Sequence, residues 1–417
     1  MKEDLKRGHV ATSCHMCRGT HLELVIDLGF HPHSDEFPRV EQLNDFEATY
    51  PLRLIRCLDC GLLQIDYFVN PKILYGGEYL YQSSTTNTGR QHYREMAANI
   101  KDRFGIQDGE LAIDIGSNVG VLLGGFKEVG MRVLGVDPAP MIVEIANKNG
   151  IETLHEFFGL DVACRISKEY GTAAVVTGTN VFAHLHDLDD AVEGMKVILD
   201  EKGVIVIEAP HAMSLIDNLE YDTIYHQHIG YLSVKPMQAY FNRMGLELFD
   251  VEPNGMHGGT LRYYVGFPGV HPVAESVGSV LKEEIESGLY TKERLRRFAN
   301  DVLEQKYALI EQILKLRREG KRVVALSAPA KGNTLLNYCH LDSAFLDYAT
   351  ERNPLKVGRF TPGMHLPIYP DEKILEDKPD YCLILAWNFA YEIMSNMSEY
   401  KKSGGKFIIP IPKPHIV

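Results

Sequence analysis

Residues 222–232 read DTIYHQHIGYL, which sets Tyr225, His226, Gln227 and His228 side by side. An imidazole titrates near neutral pH and is the side chain best matched to removing a proton there. A tyrosine hydroxyl can donate to a developing oxyanion. No helical or strand period buries all four residues at once. The stretch therefore reads as a site for proton chemistry, with a surface turn carrying incidental histidines as the plain alternative. A second constellation is made of cysteines. CHMC (Cys14, Cys17) and CLDC (Cys57, Cys60) are two C-x2-C turns. Each can aim two thiolates at one tetrahedral zinc ion, and together they close its shell, which predicts a structural metal rather than a catalytic one. Four buried cysteines with no special role are the alternative. The segment between the turns is longer than in a compact zinc ribbon and predicts an insertion.

These groups need elements to position them. LAIDIGSNVG (111–120) reads as a buried strand entering a glycine-bearing turn. VLLGGFKEVG continues as a helix and MRVLGVD as a second strand ending at Asp137. Further strands are expected at AAVVTGTN and GVIVIEAP, with helical stretches between. Strand alternating with helix implies a parallel, doubly wound sheet, whose ligands lie at the carboxyl ends of its strands. The turn departs from G-x-G-x-x-G. Instead Asp114 precedes Gly116, Ser117, Asn118 and Gly120, and Asp137 stands about 20 residues further on, where a carboxylate can accept ribose hydroxyls. That pattern suits S-adenosylmethionine (SAM), which carries no phosphate, better than NAD; a purely structural strand–turn–helix stays open.

Residues 273–320 are rich in Glu, Lys, Arg and Leu and predict one or two long helices whose charges face solvent. KRVVALSAPAKGNTLLNY then repeats the strand–loop–helix grammar, DYCLILAW is a later buried strand, and GKFIIPIP is expected to be the last. This is a second, smaller α/β unit. Its loop is not a Walker A loop, yet Lys331 beside Gly332 and Asn333 at a helix start could grip a phosphate or diphosphate; an ordinary exposed lysine is the alternative.

The 417 residues suggest two or three domains of ordinary globular composition, 45% hydrophobic and 24% charged. A net charge of -13 and a pI near 5.7 argue against broad nucleic-acid binding, though not against a local basic pocket. No apolar stretch follows MKEDLKRGHV, and no run is long enough to span a bilayer. A cytoplasmic protein without membrane or nucleic-acid partners is expected, with monomer or dimer left open. Seven cysteines in a chain of this length do not make a disulfide framework.

The chain resembles the SAM-dependent C-methyltransferases that act on C3 of nucleotide-linked 4-keto-deoxysugars. The resemblance rests on the paired C-x2-C knuckles, YLYQSS (79–84), IGSNVG (115–120), NVFAHLHDL (180–188), IYHQHIGYLS (224–233), MHGGTLR (256–262), APAKGNTLLNY (328–338), ERNPLKVGRFTPG (351–363) and LAWNFAYEI (385–393), in that order. It implies an α/β protein with a zinc-binding domain at 1–75, a doubly wound SAM domain at 76–270, a helical linker at 271–320 and a C-terminal Rossmann-like domain at 321–417 that helps hold the nucleotide sugar. It implies that His228 removes the C3 proton, with Tyr79, Tyr225 and His184 around the sugar and Gln227 beside the base. Asn180 would join Gly116, Ser117, Asn118, Gly120 and Asp137 on the SAM side. Lys331, Asn333 and Arg352 would serve the nucleotide, and His257 would line the sugar pocket or fix a turn. Two residues depart from the family pattern: Val119 stands where Asp is common, and Gln227 where Glu is usual. A neutral amide cannot raise the pKa of a neighbouring imidazole as a carboxylate can. An O-methyltransferase on a related sugar and a non-catalytic zinc-ribbon or SAM-binding protein are the competing functions; product analysis and SAM binding discriminate them.

Overall fold

The computed structural model describes residues 7–76, 87–255 and 259–417. Two α/β units lie along the chain, and both follow the same strand grammar. The middle unit has a seven-stranded sheet in the order Glu247–Asn254, Thr260–Gly266, Leu199–Pro210, Ala173–Thr179, Leu111–Ile115, Arg132–Asp137, Thr153–His155. Only Thr260–Gly266 runs against the rest. The C-terminal unit orders its strands Ile368–Pro370, Ala349–Glu351, Val323–Leu326, Tyr381–Ile384, Lys406–Ile409, His415–Ile416. Here the last strand is antiparallel and lies beyond GKFIIPIP, which the sequence reading took as the end of the sheet. In each unit the first strand sits centrally, between its second and fourth. The crossover connections diverge there and open a crevice at the strands' carboxyl ends.

The strand Leu111–Ile115 is buried along its whole length, as a central parallel strand covered on both faces should be. Helix Val121–Glu128 follows it, and buries Leu122, Leu123 and Phe126. Two helices, Glu275–Glu286 and Lys292–Arg318, join the units. The second buries Leu295, Phe298, Val302, Leu309, Ile313 and Leu316 along one stripe. Their charges are not all solvated: Glu284 is fully buried, accepting from His211 Nε2 (2.8 Å) and the Val234 backbone N–H (2.7 Å).

Between the cysteine turns the expected insertion is a long hairpin, Leu22–Pro32 with Thr49–Cys57. Strand Leu63–Ile65 extends it, and Gly230–Tyr231 completes a four-stranded antiparallel sheet. That last pairing stitches the YHQH loop onto the cysteine-bearing sheet. The sheet is shared between the two units' cores. Cys14, Met16, Cys57, Cys60 and Leu62 pack with the middle sheet, whereas Ile26, Leu28, Leu52 and Leu54 pack with the linker helix and the C-terminal sheet. No described helix is long and apolar enough to cross a membrane.

Candidate active site

The four knuckle cysteines converge. Their sulfurs lie within 4.8 Å of one another, with Cys14 Sγ 3.6 Å from Cys60 Sγ and Cys17 Sγ 3.5 Å from Cys57 Sγ. Zinc–sulfur bonds of about 2.3 Å put tetrahedral ligands roughly 3.8 Å apart, so the donor set and its spacing fit zinc. Backbone N–H groups of Cys17 and Gly19 point at these sulfurs, as thiolate ligands require.

One large cavity, about 1180 Å³, runs from the crevice of the middle unit to that of the C-terminal unit. Pockets for one small ligand hold roughly 300–1,000 Å³, so this space has room for two. On the middle side, Gly116 (φ 64°), Asn118 (φ 50°) and Gly120 (φ 79°) take left-handed backbone in the turn after Leu111–Ile115. A side chain at Gly116 would meet Val181 at 2.4 Å, and one at Gly120 would meet Ile151 at 2.8 Å, so glycine is required at both. Asp137 ends the neighbouring strand, and its carboxylate accepts from the backbone N–H of Asn118 (3.0 Å) and Ala139 (2.9 Å). Asn180, also left-handed (φ 55°), is held by its N–H to Glu208 O (2.7 Å). Asp114 lines the same wall; burial pushes its carboxyl up to about 7, against a 2.6 Å hydrogen bond from the Thr177 hydroxyl. Ser117 Oγ is buried with no hydrogen-bond partner among the described residues.

In the middle of the cavity, the YHQH loop divides its side chains. His226 turns into the protein, with Nε2 3.1 Å from Pro51 O, while Tyr225, Gln227 and His228 line the cavity. His228 Nδ1 lies 2.8 Å from Thr223 O. A carbonyl can only accept, so the ring proton sits on Nδ1 and Nε2 carries the lone pair. Nε2 faces the Tyr225 hydroxyl at 2.9 Å. His184 packs against His228, ring centres 4.8 Å apart, and its Nδ1 is 3.2 Å from the Tyr75 hydroxyl. Burial holds His184 well below the usual histidine range, so it is a neutral imidazole at pH 7. Gln227 is buried and directed away from the imidazole: Ser34 Oγ donates to its Oε1 (3.0 Å), and its Nε2 donates to Asp35 Oδ2 (2.9 Å).

On the far side, Lys331 opens helix Ala330–Cys339, which follows the central strand of the C-terminal sheet. Its ammonium lies 4.1 Å over the Trp387 ring and donates to Asn388 Oδ1. Trp387 Nε1 in turn donates to buried Asp222 (2.7 Å). Burial lowers the Lys331 pKa, and Asp222 and Glu220 work against that shift. Arg352 lines the cavity with Nε 3.1 Å from Asp371.

Three family models match in succession: a zinc binding domain over residues 14–75, a methyltransferase domain over 89–251 and a C-methyltransferase C-terminal domain over 255–412. The chain is 32% identical over 405 residues to the C-methyltransferase NovU of Streptomyces niveus, an alignment spanning 97% of this chain and 96% of that one. The chain belongs to this C-methyltransferase family. Among solved structures, the magnesium protoporphyrin IX methyltransferase of Synechocystis PCC 6803 with bound SAH matches at 12% identity and a TM-score of 0.34, covering 45% of this chain and 90% of that one. A SAM-dependent methyltransferase of Clostridium acetobutylicum matches at 11% and 0.34, covering 43% and 92%.

As a member of the family, the chain is a SAM-dependent C-methyltransferase with a zinc site in its N-terminal domain. Cys14, Cys17, Cys57 and Cys60 would hold the metal. The glycine turn, Asp137 and Asn180 would hold SAM, whose net positive charge suits a wall lined by Asp137, Glu156, Asp161, Asp187 and Asp190. Tyr79 and His257 lie outside the described residues. Asn333 does not line the cavity; it is buried, and its Nδ2 donates to Ser34 O (2.7 Å), which ties the C-terminal helix to the loop carrying Asp35. Sequence reasoning missed Tyr75, Asp35, Glu351 and the aromatic pair Phe157–Phe158 on the cavity wall. Only the aromatic pair carried a local signal, two rings directly after a strand end.

Glu351 repeats the arrangement of Asp137. It ends the second strand of its own unit, and its carboxylate accepts from Ala328 N–H (3.0 Å) in the first crossover loop and from the Arg352 (2.8 Å) and Asn353 (3.1 Å) N–H groups.

Proposed function

We propose that the enzyme methylates the carbon next to the ketone of a nucleotide-linked 4-keto-deoxysugar, C3, through an enolate. The observation carrying this reading is the fixed tautomer of His228. Its Nδ1–H is committed to Thr223 O, which makes Nε2 the basic nitrogen; His228 lines the cavity, and Nε2 accepts from the Tyr225 hydroxyl, a contact the substrate must displace. The ketone acidifies the C3–H bond; Nε2 takes the proton, and the electron pair moves onto the ketone oxygen. The Tyr225 hydroxyl, once displaced from Nε2, and the Tyr75–His184 pair would donate to and shape the space around that oxygen. SAM supplies an electrophilic methyl group, which the enolate carbon attacks from the middle unit's side. The C-terminal unit would hold the nucleotide, with Lys331 and Arg352 toward the diphosphate and Glu351 accepting from a pentose hydroxyl, as Asp137 does for SAM. Three of the four Lys and Arg residues lining the cavity, Lys331, Arg352 and Lys356, come from that unit and only Lys72 from elsewhere, which supports an anionic ligand there.

The test is incubation with SAM and dTDP-, UDP- and GDP-linked 4-keto-6-deoxyhexoses, followed by mass and NMR analysis. A product with a new carbon–carbon bond at C3 supports the reading. A methyl ether, or no turnover with any of the three, overturns it.

A further inference from the structure

Gln227 gives the YHQH loop a neutral amide, and the fold places a carboxylate beside it from elsewhere. Asp35, from the loop after strand Leu22–Pro32, is buried and lines the cavity. Its Oδ2 accepts from Gln227 Nε2. Its Oδ1 is buried without a hydrogen-bond partner among the described residues. A buried acceptor left unmade costs about 1–3 kcal/mol, so an unpaired carboxylate oxygen on a ligand cavity marks a place for a donor. The nearest cation is the buried ammonium of Lys356, 3.9 Å from Oδ1, beyond hydrogen-bond reach. One of its three protons goes to Ala328 O (2.9 Å).

The gap has a defined chemistry. Asp35 repels a phosphate, and Lys356 repels a second cation. A hydroxyl satisfies both, donating to Oδ1 while accepting from the ammonium. The wall is also the proposed reacting one: Asp35 and Tyr75 line the same cavity, and the Tyr75 hydroxyl meets His184 beside His228. We propose that Asp35 Oδ1, with Lys356 opposite, binds a hydroxyl of the sugar ring, and that Gln227 and Asn333 are its positioning residues. This rests on the nucleotide-sugar reading above. It also accounts for Gln227. A glutamate there would set two carboxylates about 3 Å apart, where they must share a proton, whereas an amide pairs with Asp35 directly.

The experiment uses the full-length zinc-loaded enzyme, SAM and the three nucleotide-linked keto-sugars. Asp35→Asn should raise KM for the keto-sugar about tenfold to a hundredfold, the range of a lost charge-assisted hydrogen bond. Calorimetry should show unchanged affinity for SAM and for the sugar-free nucleoside diphosphate, which reports an intact fold. The exchange Asp35→Asn with Gln227→Glu keeps one carboxylate and one amide, and should recover most of the KM loss. An unchanged KM in Asp35→Asn, or an exchange variant as impaired as the single one, overturns the proposal while leaving the C-methylation reading intact. No turnover by the wild-type enzyme would instead sink that reading, and this one with it.

Discussion

The middle and C-terminal units are built on the same central strand order, yet they treat their crevices differently. The middle unit enters its first helix through Gly116 and Gly120 in left-handed conformations, so bare backbone can come close to a ligand. The C-terminal unit enters through Ser327 (φ 75°) and Pro329 and places Lys331 at the helix start. The middle crevice is walled by carboxylates, and the C-terminal one adds Lys331, Arg352 and Lys356 to its own acids. A strand order fixes where a ligand lies, and the loop chemistry sets the charge it favours: carboxylates line the middle crevice, and lysines and an arginine join the acids of the C-terminal one. The zinc-binding sheet adds the YHQH loop and Asp35 at the seam between them.

The sharpest way to break this comparison is to separate the proton step from the methyl step. On the proposed mechanism, proton removal needs only the keto-sugar and His228. The C3 hydrogen of the keto-sugar should therefore exchange with deuterated solvent when SAM is replaced by SAH. His228→Ala should abolish that exchange and lower turnover about 10²–10⁴-fold, the usual contribution of a general base. Asp137→Ala should leave exchange intact and lose methylation at low SAM. NMR of the recovered sugar reads both; full exchange in His228→Ala would remove the base assignment.

A smaller effect is expected from a reciprocal pair of binding variants. Removing the acceptor in Asp137→Ala costs a charge-assisted hydrogen bond, about 1.5–3 kcal/mol, and weakens SAM roughly tenfold to a hundredfold. Glu351→Ala should do the same to the nucleoside diphosphate and leave SAM alone. The loss should be largest against ligands that keep the pentose 3′-hydroxyl and smallest against 2′,3′-dideoxy analogues. Calorimetry with both ligands on both variants gives the four numbers. A Glu351→Ala variant that binds both nucleotide types as the wild type does would show that its three backbone hydrogen bonds are its whole purpose.

The zinc site tests the sheet that both units share. Its cysteines pack with the middle core, and metal binding carries folding energy for such a domain. Cys57→Ser should therefore lower zinc content and the unfolding temperature, and SAM binding should suffer before nucleotide binding does. Elemental analysis and thermal scans with each ligand check it; metal-free wild-type protein of unchanged stability would refute it.

What was legible in the sequence was what sits close together along it. The cysteine turns, the glycine turn with Asp137, and the strand–helix alternation each announce themselves within a few dozen residues. Contacts made by folding did not. Gln227 and Asp35 are 192 positions apart, and Tyr75 reaches His184 across 109. No local pattern shows that the glutamine has a carboxylate beside it. Asn333 looked like a ligand group because it comes soon after Lys331, but two steps along a helix turn a side chain by about 200°, and it faces Ser34 instead. Glu284 sat among solvated charges and was read as one of them; the partners that allow its burial, His211 and the Val234 N–H, come from distant segments.

The smallest expected effect lies where both units meet the zinc-binding sheet. The C-terminal seam holds His31 and His33 with His226, all buried, and burial holds their pKa values at about 4, about 4 and about 3. His33 Nε2 and His226 Nδ1 have no hydrogen-bond partner among the described residues. The folded state therefore keeps all three neutral, while the unfolded chain takes up their protons below a pKa near 6.5. Unfolded protein binds more protons throughout the window from about 6.5 down to about 4, so stability is fully present above that window and falls as pH drops through it. Each histidine contributes a slope of up to about 1.4 kcal/mol per pH unit. Burial also lowers the pKa values of His184 and His186 on the middle side, so mild acid should loosen the zinc-binding sheet from both units. Hydrogen exchange at pH 5 should show early deprotection in Leu22–Pro32 and Ala330–Cys339, with Leu111–Ile115 still protected. His33→Gln keeps a polar side chain and removes one titrating proton, so it should flatten the pH dependence of unfolding by up to about 1.4 kcal/mol per pH unit. If the slope is unchanged in that variant, the buried histidines do not set the acid limit of this fold.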